Sequence, residues 1–270
     1  MPLVFKILFI FVNMFNKKIA IVGSGNVAWH LSEIFNEKTI EVTEVCSRNQ
    51  EEAKKIATAI QAKHIKKLKN IGENADLIIL AVSDDAIEKV CKKLKCKNKI
   101  VAHTSGIANT QLLKACSKNF ACFYPLQTFT KYHKVDFSQI PVLISANNIE
   151  TENTLKDLAN LISLKVEVIS DIQRQKLHLS AVIVNNFTNH LYTLSSNYLA
   201  KNTIDFELLK PLIQETVNKI SSNNPKVNQT GPAKRNDVKT IEKHFNLIED
   251  EDLKEIYKIL TLSIYTTHNE

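Results

Sequence analysis

A histidine, a lysine and several amides crowd one stretch of helical period, RQKLHLSAVIVNNFTNHLYTLSSNYL, which begins at Arg174. His178, Val182, Asn185 and Asn189 fall at offsets of 0, 4, 7 and 11 and so share one helical face, with Asn186 at its margin. Flanked by Ala181, Ile183 and Val184, these polar groups are costly to bury unless something hydrogen-bonds to them, and a polar ligand would do so. The alternative is that they bond one another or face water. Lys176 lies close to the stripe. His178 and Lys176 are both suited to protonating the oxyanion that hydride delivery leaves on a carbonyl, and the residues do not choose between them.

A second constellation runs Thr230-Gly231-Pro232-Ala233-Lys234-Arg235-Asn236-Asp237. Gly231 and Pro232 fix a turn, Asp237 can cap the following helix, and Arg235 presents a bidentate fork suited to a carboxylate. A third lies near the start, in KKIAIVGSGNVAWHLSEIF from Lys17 to Phe35. An apolar run from Ile19 to Val22 ends at Gly23, and Gly25 and Ala28 complete a Gly-x-Gly-x-x-Ala pattern ahead of an amphipathic segment. Gly23 permits the tight turn, Gly25 lets the backbone approach a pyrophosphate, and Ala28 keeps helix and strand close. The unpaired N–H groups at the start of that helix favour an anion, and strand–turn–helix is the context a dinucleotide requires.

The elements that would position these groups alternate along the chain. Strands are expected at Ile40–Cys46, Ala75–Ser83, Lys99–His103, Ala121–Tyr124, Val142–Ser145 and Val166–Ile169, with helices at Glu51–Ala62, Ala86–Leu94, after Gly106, and at Glu152–Ile162. Alternation of this kind argues a doubly wound, mostly parallel sheet, whose ligands sit beyond the carboxyl ends of the strands. Those ends are Gly23–Val27, Ser47–Arg48, Val82–Asp84, His103–Gly106 and Pro125–Thr128, and His103 is thereby a candidate to touch cofactor or substrate. An acidic residue roughly 20 positions past the glycines would bind a ribose 2′-hydroxyl. Arg48 stands there instead, beside Ser47, which favours the 2′-phosphate of NADP(H). From Asp171 onward only long helical segments follow, at Gln173–Ala200, Asp205–Asn223 and Asp237–Thr266, the last with a break near Asn246–Asp250. Three regions result: a hydrophobic extension at 1–13, an NADP-binding α/β domain at 14–170 and a helical domain at 171–270.

Composition bounds the function classes. With 270 residues, 44% of them hydrophobic and 23% charged, the chain can bury a sizeable core and is not a low-complexity sequence. The net charge of +7 is spread over lysines rather than massed with aromatics, which argues against nucleic-acid binding. Cys46, Cys91, Cys96, Cys116 and Cys122 form no CxxC pair and lack metal-type histidine spacing, so reduced thiols, no metal and a cytoplasmic location are expected. The apolar run from Leu3 to Val12 is too short to span a bilayer and lacks the marks of a secretory signal, so no membrane partner is expected. With Met14 directly following, it reads as an upstream start or a dispensable extension.

GSGNVAWHL, AVSDDAI, HTSG, YPLQTF, HLSAVIVNNFTNHLY and TGPAKRND occur in this order, and together they resemble the Rossmann-like oxidoreductases that carry a C-terminal helical domain of formerly unassigned function. The resemblance covers the chain from about Met14 onward. The architecture is similar to that of 6-phosphogluconate dehydrogenases, ketopantoate reductases and pyrroline-5-carboxylate reductases. The branch most resembled is that of the alternative ketopantoate reductases of pantothenate synthesis. It implies that Gly23, Ser24, Gly25, Asn26 and Val27 hold the pyrophosphate of NADP(H), Ser47 and Arg48 the 2′-phosphate, and Ala81, Val82 and Ser83 the nicotinamide-side ribose. It further implies reduction of a small 2-oxo acid and a homodimer paired through the helical domains. Reduction of another oxo acid or an imine, or a cofactor-binding sensor without chemistry, are the alternatives. Ketopantoate reductases of the better-known type follow a helix lysine with asparagines four and eight positions on. Lys176 is instead followed by Ser180 and Val184, which moves weight to His178, Asn185 and Asn189, with Asn186, Arg235 and His103 as substrate contacts.

Overall fold

The computed structural model describes residues 15–94 and 96–269, so the extension expected at 1–13 lies outside the described residues. The chain runs β1 (Ile19–Val22), α1 (Asn26–Glu37), β2 (Val42–Cys46), α2 (Gln50–Ala59), β3 (Lys63–His64), β4 (Leu77–Leu80), α3 (Asp84–Cys91), β5 (Ile100–His103) and β6 (Asn119–Pro125). It continues through β7 (Val142–Ala146), α4 (Ile149–Asn160), β8 (Val166–Val168), α5 (Asp171–Ala181), α6 (Thr188–Lys201), α7 (Lys210–Ser222), α8 (Pro225–Asn228), α9 (Val238–Leu247) and α10 (Glu251–Asn269). The helix expected after Gly106 is a short 3-10 stretch, Thr110–Ala115, and β3 is an addition too short to leave a period in the sequence.

The strands form one eight-stranded sheet in the order β3-β2-β1-β4-β5-β6-β7-β8. Continuous apolar runs make its centre. Ile19 and Ile21 of β1 and Leu77 and Ile79 of β4 point into the core shared with α1, α2 and α4. Ala20, Val22, Ile78 and Leu80 point into the opposite core with α3. A strand covered on both faces has no polar side, which is why IAIV and LIIL lack alternation. Each fully buried aliphatic side chain contributes about 1.5 to 3 kcal/mol relative to exposure. The strand order reverses between β1 and β4, so the carboxyl ends of these two strands open the crevice of a doubly wound sheet.

All neighbours pair in parallel except β6 and β7, where Tyr124 lies opposite Leu143 in an antiparallel register. The connector from Leu126 to Pro141 contains no α-helix to carry the chain back across the sheet, so β7 starts at the edge where β6 stops. That connector is tied down onto the first two helices. Asn26 Nδ2 donates to the Phe129 carbonyl at 2.7 Å, His30 Nε2 lies 2.9 Å from the Thr130 carbonyl, and Lys131 pairs with Glu52.

Two packing details depart from expectation. Cys91 at the end of α3 and Cys116 just past the 3-10 stretch are joined as a disulfide, with Cα atoms 5.3 Å apart, while Cys46, Cys96 and Cys122 are free and buried. This corrects the reading of five reduced thiols: α3 packs against the 3-10 stretch, and that contact is invisible in sequence spacing. The stretch from Val182 to Phe187 is a π-helix, so one long helix becomes α5, a wider turn and α6.

The chain divides into two compact units, the first ending at Ile183 and the second beginning at Val184. The sheet ends at Val168, yet α5 belongs to the first unit because its first turn is bonded to the loop after β5, as described below. The second unit holds α6 to α10, and none of the four long helices in it has a buried side chain. Val184, Leu212 and Leu262 are 72%, 63% and 64% exposed. Within the unit Tyr198 Oη donates to the Leu247 carbonyl at 3.3 Å, and Asn269 Nδ2 to the Lys234 carbonyl at 3.2 Å. No helix among the described residues is long and apolar enough to cross a membrane.

Candidate active site

Because β1, β2, β4, β5 and β6 run parallel, the segments that follow them meet at one edge of the first unit. Gly23 leaves β1 with a φ of +131°, and a Cβ there would stand 2.0 Å from the Ala81 carbonyl oxygen, so only glycine fits between β1 and the end of β4. Gly25 is the residue before α1 and bears no side-chain cap, leaving the first helical N–H groups free. A Cβ on Gly25 would meet no atom within 4 Å, which is open space of the kind a pyrophosphate fills. The Asn26 side chain is spent on Phe129, so Asn26 can offer an anion its backbone N–H but not its amide.

At the end of β2 the Ser47 hydroxyl bonds that of Ser24 at 2.8 Å, joining the glycine turn to the next strand end. Arg48 is exposed and has no ion-pair partner among the described residues. Glu44, the carboxylate inside β2, is buried and accepts from the Gly72 N–H and from Asn74, so it cannot serve a ribose. Ala81 is anchored to β1 by its N–H on the Val22 carbonyl at 2.8 Å, and Ser83 exposes its hydroxyl ahead of α3. Glycine cradle, uncapped helix, paired hydroxyls and free guanidinium fit a phosphorylated dinucleotide.

Beyond the cradle the first unit brings together residues from three elements. Tyr124, next to the last residue of β6, places its Oη 3.0 Å from His178 Nδ1 on α5, with the rings edge to face at 5.9 Å. Gly106, past the end of β5, lies under both. A Cβ there would fall 2.4 Å from His178 Nδ1 and 3.0 Å from Tyr124 Cζ. Burial is the main cause that pushes the Tyr124 phenol up to about 12, with the nearby Cys122 adding to it, so the hydroxyl stays protonated at neutral pH.

Arg174, one turn before His178, fixes this geometry. It is fully buried, and its Nε donates to the Gly106 carbonyl at 3.3 Å, Nη1 to Ser145 Oγ at 2.8 Å and to Asp171 at 2.6 Å, and Nη2 to the Ala108 carbonyl. Asp171 also accepts from the Thr110 N–H and hydroxyl at 2.8 and 2.9 Å. Burial pushes the Asp171 carboxyl upward, but these bonds and the guanidinium outweigh it and hold it below the usual aspartate range. Ser170 caps the helix and Gln173 closes a capping box, so α5 starts at one defined place.

The other expected residues lie in both units. His103 is completely buried, its Nδ1 accepts from the Ser105 N–H at 3.2 Å, and burial, reinforced by Arg174, lowers its pKa to about 4. It supports the loop from beneath. Lys176 is exposed while His178 is half-buried, because residues two apart on a helix do not face the same way. The stretch from Val182 to Phe187 is a π turn, where i to i+5 bonding departs from the 3.6-residue period on which the expected stripe was read. Asn185, Asn186 and Asn189 are exposed in the second unit, and Asn185 bonds Asn186 at 3.3 Å. Arg235, in the same unit, is 64% exposed and lies 4.0 Å from Asp237. Sequence reasoning missed Tyr124, Arg174 and Asp171. The glycine of HTSG was the available signal, since a glycine at a strand end marks a close approach.

Comparison with known proteins agrees with this geometry. A family model described as NADP oxidoreductase coenzyme F420-dependent matches residues 18–105, and one described as a domain of unknown function, DUF2520, matches residues 140–264. The provisionally designated NADP oxidoreductase BF3122 from Bacteroides fragilis is 32% identical in sequence, with a TM-score of 0.88 over 94% of this chain and 99% of that one. Protein TM1727 from Thermotoga maritima is 21% identical, with a TM-score of 0.77 over 93% of this chain and 100% of that one. A reductive aminase from Aspergillus terreus, in complex with NADPH and ethyl levulinate, is 13% identical, with a TM-score of 0.68 over 93% of this chain and 96% of that one. The last two likenesses show the fold alone. No curated protein matches the sequence. A relative of 32% identity along almost its whole length, together with the nucleotide cradle, establishes that the chain belongs to the NADP oxidoreductase family and that its cofactor is NADP(H).

Proposed function

We propose that this oxidoreductase reduces a small 2-oxo acid with NADPH, and that the substrate is 2-dehydropantoate (ketopantoate), giving pantoate for pantothenate and coenzyme A synthesis. The supporting observation is the Tyr124–His178 pair, held over Gly106 at the sheet edge that carries the nucleotide cradle. NADPH, when bound, supplies the hydride. His178, bonded to Tyr124 through Nδ1 and carried on the helix that Arg174 anchors, is placed as a proton source for the carbonyl oxygen that gains charge. Ketopantoate rests on the resemblance of the six motifs, as do the roles of Asn185, Asn186, Asn189 and Arg235 as substrate ligands. A neutral phenol and an imidazole protonate a nitrogen as readily as an oxygen, so imine reduction is the second reading, and the Aspergillus terreus relative is named for such chemistry.

Purified protein with NADPH is to be mixed with ketopantoate, other 2-oxo acids and a cyclic imine in turn. Loss of reduced-cofactor absorbance with ketopantoate, at catalytic amounts of protein, is the expected result. Turnover of the imine alone would establish the second reading, and tight NADPH binding with no turnover would make the protein a sensor. We further propose a cytoplasmic homodimer joined through the second unit. The apolar side chains that α6 to α10 leave exposed support it, since a unit of long helices without buried side chains has little core of its own.

A further inference from the structure

We propose that Tyr124 is the immediate proton donor to the substrate oxygen, and that His178 resupplies it through the contact between Nδ1 and Oη. The inference rests on the reductase reading and assigns one more catalytic residue to it. Three independent elements meet to make the contact. The end of β6 carries the phenol, α5 carries the imidazole, and the loop after β5 offers a glycine where any Cβ would separate them. When the imidazole is cationic, Nδ1–H donates to Oη, and the phenolic O–H is left free to point at substrate. No hydrogen bond to His178 Nε2 occurs among the described residues. His178 thus spends its one bond on Tyr124.

The proton balance closes with one proton drawn from solvent per turnover. The carbonyl carbon takes the hydride, and the electron pair of the C=O π bond moves to oxygen. That oxygen takes the Tyr124 proton as the phenolic O–H bond breaks, and the phenol oxygen takes the proton from His178 Nδ1. The imidazolium becomes neutral imidazole. After the alcohol leaves, a proton from bulk solvent, relayed by a water molecule in its place, returns along the same path and recharges the imidazole. Tyrosinate never accumulates, which suits a phenol whose surroundings disfavour its anion.

The groups acting on Tyr124 are Cys122 on the same strand, Asp84 at the start of α3 and Arg174 on α5. Arg174 pairs with Asp171, Cys122 is buried and neutral at pH 7, and Asp84 lies on the exposed first turn of α3.

The test compares Tyr124→Phe and His178→Ala with the wild-type enzyme. Tyr124→Phe is expected to leave NADPH binding, read by fluorescence titration, unchanged while lowering kcat about 100-fold or more. In His178→Ala kcat should fall and added imidazole should restore part of the rate, whereas Tyr124→Phe should gain nothing from imidazole. Nitrogen NMR of labelled histidine supplies a reading that needs no turnover: the His178 Nδ1 resonance should move in Tyr124→Phe. A Tyr124→Phe enzyme with the wild-type kcat, or an Nδ1 resonance indifferent to the substitution, would overturn the relay alone. A wild-type enzyme that binds NADPH but reduces neither oxo acid nor imine would overturn the reductase reading and take the relay with it.

Discussion

Single side chains decide which cofactor binds and where the proton stands. Arg48 is a free guanidinium at the strand end that meets the adenosine ribose in this fold, so Arg48→Asp should weaken NADPH by about 10- to 100-fold, the worth of a hydrogen bond to a charged group. NADH should be affected far less. Parallel titrations with the two cofactors check this, and equal losses would mean that Arg48 never meets the phosphate. Gly106→Ala makes a sharper case, because the new Cβ would stand 2.4 Å from His178 Nδ1 and force the ring away from Tyr124. Its kcat should fall with NADPH affinity unchanged, as measured by initial rates and fluorescence titration. Much at this scale was legible in the sequence. Gly23, Gly25 and Arg48 carry their reasons in their type and spacing, since each acts through a backbone turn or a local strand end. His178 was legible as a candidate, but its partner Tyr124 was not, because the contact joins residues far apart in the chain and depends on what Gly106 lacks.

At the scale of elements, α5 is fixed to the sheet less by an apolar face than by hydrogen bonds, from the buried Arg174 to the Gly106 and Ala108 carbonyls and Ser145 and from Thr110 to Asp171. Arg174→Met removes the partner of Asp171 and leaves the Gly106 and Ala108 carbonyls without their donors. Breaking one side of a buried pair costs about 3 to 5 kcal/mol, so thermal unfolding should show a drop of several degrees, with loss of activity as His178 loses its anchor. Strands and helices were legible wherever burial imposes a period or a continuous apolar run, as at Leu77–Leu80. Two features were not. The antiparallel β7 follows from a connector that holds no α-helix, and the π turn at Val182–Phe187 breaks the amide stripe that a regular helix would have aligned. Arginine in a helix reads as a surface residue until its acceptors are known, which is why Arg174 escaped notice.

For the whole molecule, buried titratable groups set the response to pH. His103 is held neutral, and a folded pKa lowered from 6.5 to about 4 means that protonation favours the unfolded chain. Stability is therefore full above pH 6.5 and declines as the pH falls toward about 4, by at most about 3 kcal/mol from this residue. Asp171, whose pKa is lowered, adds a further loss below the ordinary aspartate value of 3.8. Denaturant unfolding across this range checks the slope, and His103→Asn should flatten its upper part. Light scattering should give twice the monomer mass if the second unit pairs as proposed. The architecture was legible as an α/β domain followed by helices, because alternation of elements survives in sequence; the boundary of the first unit was not, since the Arg174 bonds carry α5 with the sheet. The central claim is hydride transfer from NADPH to a 2-oxo acid, and its most direct test uses NADPH deuterated at the transferring position with ketopantoate, followed by mass spectrometry of the product. Deuterium on the former carbonyl carbon of pantoate is the predicted result; unchanged ketopantoate beside intact labelled cofactor would contradict it.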